Sequence, residues 1–251
     1  MQSPILLCLH GWGGSSESFN ELRDALDNAD LKILTPDLPG FGGEPESDHP
    51  FSVDDFASWT EQWLGRKFNE LSIVNCQLPV LSEVEVSIVG HSFGGRIAIK
   101  LATRGNLKID HLFLCASAGI KRPKHIKRVI SLSIAKTGNA ILSIPGLRIL
   151  KNTARSFLYK VLRVHDYERA SALMQKTLVK VTKEDLKPLL KEIKIPTDIF
   201  WGEDDKMTPI SDAHIMKKEI EGSNLHIYTG TGHRVHRDRA TEIAEVIRNT
   251  M

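Results

Sequence analysis

The stretch Val84-Glu85-Val86-Ser87-Ile88-Val89-Gly90-His91-Ser92-Phe93-Gly94-Gly95-Arg96 decides how this chain is read. Val84 to Val89 is a short apolar run rich in β-branched residues and reads as a buried strand, whereas Arg96 to Ala102 has the period of a helix. Between them lies the pentapeptide Gly90-His91-Ser92-Phe93-Gly94, a G-x-S-x-G pattern at a strand-to-helix junction. A chain that changes from strand to helix within so few residues has no room for a β-carbon beside the turn, which accounts for the glycines at 90, 94 and 95. Such a turn holds the Ser92 hydroxyl above the sheet edge, next to the unpaired N–H groups that open the helix. Taken alone, the pentapeptide also reads as a plain Gly-rich turn. Its meaning depends on what the other strand ends supply.

Similar short apolar runs recur at Ile5 to Leu9, Lys32 to Thr35, His111 to Cys115, Thr197 to Trp201 and Leu225 to Tyr228, and are expected to be strands buried on both faces. Amphipathic stretches alternate with them at Phe19 to Ala29, Val53 to Phe68, Ile97 to Arg104, Ser211 to Ile220 and Ala240 to Arg248. This alternation predicts an α/β fold, a mostly parallel doubly wound sheet with right-handed crossovers. Ligands of such sheets bind beyond the carboxyl ends of the strands. The alternation breaks between Gly119 and Lys191, where helical repeats such as Phe157, Leu158, Val161 and Leu162 replace it, giving three parts: 1–118, a helical insertion at 119–191, and 192–251.

The 251 residues suit one large domain carrying an insertion, and the net charge of +2 gives no whole-chain case for a nucleic-acid partner. The charge is uneven: from Lys121 to Lys191 there are 17 Lys or Arg against 4 acids, so the remainder is net acidic. A solvated helical surface explains this, as does attraction of an anionic substrate or a loose contact with an anionic membrane surface. Cys8, Cys76 and Cys115 are odd in number and widely spaced, which favours free thiols in a reducing compartment. The chain reaches its first strand directly after Met1-Gln2-Ser3-Pro4, and no run of about 18 apolar residues follows, so a cytoplasmic protein without membrane insertion is expected.

A serine hydroxyl needs a base, and the base needs an orienting partner. After the run ending at Tyr228 comes Thr229-Gly230-Thr231-Gly232-His233, which presents His233 as the candidate base. After Trp201 comes Gly202-Glu203-Asp204-Asp205-Lys206-Met207-Thr208-Pro209, a turn whose Asp205 is the candidate orienter. At the end of the first run stands His10-Gly11-Trp12-Gly13-Gly14, whose glycines let backbone N–H groups approach a ligand. The N–H groups of Trp12 and Phe93 are the candidate pair for an oxyanion.

On these residues the chain resembles the α/β-hydrolase superfamily over nearly its whole length. The motifs are His10-Gly11-Trp12-Gly13-Gly14, Asp37-Leu38-Pro39-Gly40-Phe41-Gly42, the Ser92 turn, Trp201 to Pro209, and Gly232-His233. The resemblance implies that the acid is Asp205 rather than Asp204, and that 119–191 forms a helical cap. It implies a serine hydrolase of carboxylic esters, with Ser92, Asp205 and His233 catalytic, no cofactor, and a small-molecule ester as partner; apolar cap positions facing Ser92 would favour a modest apolar acyl or aryl group. Carbon-carbon bond hydrolysis, thioester cleavage and perhydrolysis use a similar set, and a low-turnover ligand receptor is a further alternative. Serine at 92 argues against the branches with an aspartate nucleophile there. Relatives usually carry two antiparallel strands before the oxyanion loop; nine residues precede His10, so a sheet lacking those strands is expected.

Trp12, Phe41 and Phe93 are candidates for the substrate pocket, with core packing as the alternative for Phe41. His10 and His91 are expected to order loops rather than transfer protons. Arg234 could meet a substrate carboxylate or face solvent. His233-x-x-His236 invites a metal reading, but a catalytic zinc usually needs three protein ligands and no third has suitable spacing, so no metal is expected. In the cap, apolar positions such as Ile130, Ile134, Ile141, Leu142 and Leu147 are expected to pack onto the domain, some of them facing Ser92.

Overall fold

The computed structural model describes residues 3–27, 29–70, 84–121 and 170–251. Within them, β1 (Ile5–Leu9), β2 (Lys32–Leu34), β3 (Glu85–His91), β4 (Lys108–Cys115), β5 (Thr197–Gly202) and β6 (Asn224–Tyr228) form one sheet in the order β2-β1-β3-β4-β5-β6. Every neighbouring pair is parallel. The strand order reverses at β1: β2 lies on one side of it and β3 on the other, so the loops leaving β1 and β3 diverge and open a crevice. His10 to Gly14 and Ser92 stand at that crevice.

The central strands are buried along nearly their whole length, as their unbroken apolar runs require. β2 and β6 differ from the expectation of burial on both faces: all of β2 is half-buried, and β6 alternates between exposed and half-buried positions. They are the two edges of the sheet, so each is covered from one side only. Among the described residues there is no antiparallel pair before β1.

The helices are α1 (Asn20–Ala25), α2 (Val53–Glu70), α3 (Phe93–Arg104), α4 (Ala172–Lys183), α5 (Ile210–Glu219), α6 (Val235–Asp238) and α7 (Ala240–Thr250). α2 is set off by a reciprocal cap, with the Asp55 carboxylate accepting the Ser52 N–H at 2.7 Å and the Ser52 hydroxyl accepting the Asp55 N–H at 3.2 Å. Its buried residues Val53, Phe56, Ala57, Thr60, Leu64 and Phe68 recur every three or four positions and pack toward α3. α1 is shorter than its amphipathic stretch, because a 3-10 turn at Ser16–Phe19 precedes it and the weak helix formers Asp24 and Asp27 close it. α3 begins three residues earlier than its period indicates: Gly94 and Gly95, poor helix formers, are recruited by close packing.

Of the expected insertion, α4 and a 3-10 turn at Lys187–Glu192 are described; residues 122–169, with the apolar positions named above, lie outside the described residues, as does Cys76. The buried Arg96 of α3 donates to the Glu184 carbonyl at 3.3 and 2.9 Å, and Lys100 pairs with the Glu184 carboxylate at 2.6 Å, which ties the end of α4 to the helix that follows Ser92. Cys8 and Cys115 are free and buried, and burial pushes both thiols well above their ordinary range. Among the described residues no helix is long and apolar enough to cross a membrane.

Candidate active site

Ser92 sits between β3 and α3 with φ 51° and ψ −111°, a backbone conformation costing about 1–3 kcal/mol for a residue with a β-carbon. Its own backbone helps to hold it there. The Ser92 N–H donates to the Cys115 carbonyl at 3.1 Å, and its carbonyl accepts from the Gly95 and Ala118 N–H groups at 3.1 and 2.9 Å. The turn is closed by contact: a β-carbon at Gly94 would lie 1.9 Å from the Leu9 carbonyl oxygen, and one at Gly95 would lie 2.1 Å from Ser117 Oγ. Gly94→Ala should therefore destabilise the protein by about 3 kcal/mol or more, read as a lower urea midpoint, because the obstacle is β1 backbone that cannot swing aside.

The three side chains expected to act together are in contact. His233 Nε2 lies 3.0 Å from Ser92 Oγ, and His233 Nδ1 lies 2.7 Å from Asp205 Oδ2. A carboxylate only accepts, so Nδ1 carries the proton and Nε2 is left to accept from the serine hydroxyl. Asp205 is buried, while Asp204, the neighbouring alternative, is exposed. Burial raises the Asp205 carboxyl's affinity for a proton, but hydrogen bonds from His233, Thr208 and the Met207 N–H, with the charge of His233, outweigh it and hold the group below its ordinary value.

Thr208 escaped the sequence reading. Its hydroxyl lies 2.7 Å from Asp205 Oδ2, and its N–H donates to Asp205 Oδ1 at 3.0 Å. The Trp201 indole donates to the Thr208 carbonyl at 2.7 Å, pinning the acid loop to β5. The only sequence signal was a hydroxyl-bearing residue three positions after the acid, just before Pro209 at the start of α5.

The other loops are fixed by similar means. His10 Nε2 accepts from the Leu38 N–H at 3.0 Å, so Nδ1 bears the proton and donates to the Gly11 carbonyl at 2.8 Å. Burial holds this ring neutral by lowering its proton affinity. The Asp37 carboxylate accepts the Ser16 N–H at 2.6 Å and the Gly43 N–H at 2.8 Å, clamping the loop after β1 to the loop after β2. Between these clamps the N–H groups of Trp12 and Phe93 have no acceptor among the described residues. Phe93 is the first residue of α3, where an unpaired N–H is inherent to the helix.

His91 donates from Nε2 to the His233 carbonyl at 3.0 Å, and its ring packs against His236 with centroids 3.8 Å apart and planes tilted by 31°. His236 is buried against Phe19, and neither of its ring nitrogens reaches a partner in hydrogen-bond geometry among the described residues. His91 is held well below its ordinary value, first by burial and then by the nearby His236 and His233. Burial, reinforced by Arg237 and His233, pushes His236 down to about 3, with the Ser18 backbone opposing weakly. The unfolded chain binds protons at such histidines below about pH 6.5, and the folded chain does not. Stability is therefore highest above that value and falls as the pH drops below it; for His236 the fall runs at about 1.4 kcal/mol per unit toward pH 3, and His91 adds a loss of the same sign. His236→Phe should flatten this acid loss by about one proton, measured from urea midpoints between pH 7 and 4. Among the described residues no group of three or more His, Cys, Asp or Glu could hold a metal ion.

Ser92 and His233 open onto a cavity of about 1210 Å³ that is also lined by Trp12, Glu17, Met207 and Arg234. A smaller recess of about 260 Å³ shares Trp12 in its wall and is lined also by Phe41, Gly40, Met174, Glu46 and Ser171. The Trp12 ring meets Phe41 and Phe93 edge-on at 4.9 and 5.3 Å, so the three expected pocket aromatics form one cluster. Phe41 and Phe93 are buried within it, and Trp12 is half-buried and lines both cavities. Arg234 is exposed at the rim of the larger one.

A six-stranded parallel sheet with a serine, histidine and aspartate hydrogen-bonded in series at its carboxyl edge defines an α/β hydrolase. The profile of the alpha/beta hydrolase family matches residues 6–246, and the chain belongs to that family. It is 25% identical to a pimeloyl-[acyl-carrier protein] methyl ester esterase of Neisseria meningitidis, over 96% of this chain and 91% of that protein. It is 24% identical to the monoacylglycerol lipase ABHD6 of Mus musculus, over 97% of this chain and 74% of that one. Among solved structures, an esterase from Exiguobacterium antarcticum superposes with a TM-score of 0.69 at 20% identity, covering 99% of this chain and 92% of the other.

Proposed function

We propose that the protein is a serine hydrolase of carboxylic esters that works through an acyl-enzyme on Ser92. The observation that carries this reading is the unbroken hydrogen-bonded series from Ser92 Oγ through His233 to Asp205, at the wall of an open cavity. Nε2 of His233 takes the hydroxyl proton as Ser92 Oγ attacks the ester carbonyl carbon. The carbonyl oxygen becomes an oxyanion between the N–H groups of Trp12 and Phe93, which have no acceptor among the described residues. The imidazolium then protonates the departing alkoxide, and a water molecule repeats the sequence on the acyl-enzyme to release the acid and restore Ser92. Asp205 keeps the imidazole in the required tautomer throughout. No step calls for a cofactor.

The names of the two curated relatives both describe ester hydrolysis, which favours an ester over the carbon-carbon, thioester and peroxide chemistries open to the same residues. The aromatic cluster of Trp12, Phe41 and Phe93 beside Ser92 favours a modest apolar acyl or aryl group, and the recess behind Phe41 adds Met174 together with the polar Glu46 and Ser171. The direct test is turnover of p-nitrophenyl esters of increasing acyl length: hydrolysis of short to medium chains is expected, and a folded protein inert on every ester would overturn the reading.

The 17 Lys or Arg against 4 acids between Lys121 and Lys191 are accounted for by a solvated helical surface and equally by attraction of an anionic ester, and salt separates the two. Raising salt from 20 to 200 mM should lower kcat/KM for an anionic ester by about 3- to 10-fold more than for a neutral ester of equal length. Equal salt responses would remove this steering role.

A further inference from the structure

The Asp205 carboxylate is met by four donors, two on each oxygen. Oδ1 accepts the Met207 and Thr208 N–H groups at 2.7 and 3.0 Å, and Oδ2 accepts from His233 Nδ1 and from the Thr208 hydroxyl, each at 2.7 Å. Thr208 Oγ1 also lies 3.2 Å from His233 Nδ1 and 3.1 Å from the Ala116 carbonyl oxygen. One buried hydroxyl thus touches both members of the Asp–His pair and the end of β4. Ala116 is held there with φ 44°, an uncommon value for a residue with a β-carbon, and its N–H donates to Phe200 at 2.9 Å. Strands β4 and β5 and the loop after β6 therefore meet at Thr208.

We propose that Thr208 is a positioning residue: its hydroxyl fixes the Asp205 carboxylate against His233 and limits the carboxylate's basicity, which sets the pH range in which His233 serves as a base. This rests on the reading of Ser92, His233 and Asp205 as a catalytic set. An O–H donor on Oδ2 withdraws charge from the atom that bonds His233 Nδ1. Without it the carboxylate holds an imidazolium more tightly, and the proton on Nε2 is harder to remove.

Among the described residues, the titratable groups that meet the His233 ring or its neighbours are Asp205 from the loop after β5, His91 at the end of β3 and His236 in α6, with Arg234 next to it in the chain. Burial holds the proton affinities of His91 and His236 below their ordinary values, so an acid limb that moves with the Thr208 hydroxyl reports on the Asp205–His233 pair.

The test is the pH profile of kcat/KM on a neutral ester for Thr208→Val, nearly equal in shape but without the hydroxyl, with Thr208→Ala as a second hydroxyl-free variant. The acid limb should move to higher pH by about half a unit or more in both, with little change in KM, and Thr208→Ser should restore it. A limb that superimposes on the wild type, or moves equally in Thr208→Ser, would show a merely structural threonine and overturn the proposal. The His233 Nδ1–H proton resonance provides a reading independent of turnover. It should move downfield in Thr208→Val, and an unchanged resonance would count equally against the proposal. If the wild type hydrolyses no ester, the functional reading fails while this resonance still reports on Thr208.

Discussion

Ser92→Ala should lower kcat on any hydrolysed ester by about 10⁵- to 10⁶-fold, the scale on which a triad nucleophile acts, while KM changes only a few-fold. The substitution removes one oxygen atom and little else. The turn is held by the Ser92 N–H and carbonyl and by the close approach of Gly94 to Leu9, none of which involves the hydroxyl. A normal melting curve is expected, so the loss is to be read as chemistry rather than unfolding. Residual catalysis would come from binding and from the Trp12 and Phe93 N–H groups, which the variant keeps. A variant retaining a tenth of the wild-type rate would refute the assignment of Ser92.

Asp205→Asn should cost about 10⁴-fold in kcat, by a different route. Three of the four donors around Asp205, the Met207 and Thr208 N–H groups and His233 Nδ1–H, require an acceptor, whereas the Thr208 hydroxyl can turn to the Ala116 carbonyl. An amide offers one acceptor oxygen and one donor nitrogen. If that oxygen faces the two backbone N–H groups, the amide nitrogen faces His233 Nδ1 and drives the imidazole proton to Nε2, where it blocks acceptance from Ser92. The serine hydroxyl is intact, so the site should still form and bind ester, with the loss confined to kcat. Asp204→Asn serves as the control: Asp204 is exposed, its N–H bonds the Thr231 carbonyl at 3.0 Å, and its removal should change kcat less than about twofold. Equal losses from both variants would point to a general effect of loop charge and away from Asp205.

The central strands and the order of the loops were legible from the chain because their signals are local. β1, β3 and β5 are continuous apolar runs, and each hands over to a Gly-bearing turn that must bend sharply. Ser92 and the acidic turn at 203–205 follow such runs, and His233 follows the less apolar edge strand β6 through a Gly-rich loop; the choice of Asp205 over Asp204 came from the family resemblance. What escaped depends on contacts between segments far apart in sequence. Thr208 matters because the end of β4 brings the Ala116 carbonyl to it, and the contact of the His91 ring with His236 joins residues from β3 and α6. The exposure of β2 and β6 follows from sheet order, which their short β-branched sequences do not encode. α3 began early because packing against Leu9 and Ser117 overrides the poor helix propensity of Gly94 and Gly95.

The most direct measurement is covalent capture by a fluorophosphonate, followed by intact mass and peptide mapping. The expected result is one phosphonyl adduct per chain on the peptide containing Ser92, with none on Ser92→Ala protein of equal stability. An adduct that persists on Ser92→Ala, or an ester-hydrolysing wild type that takes none, would contradict Ser92 as the nucleophile.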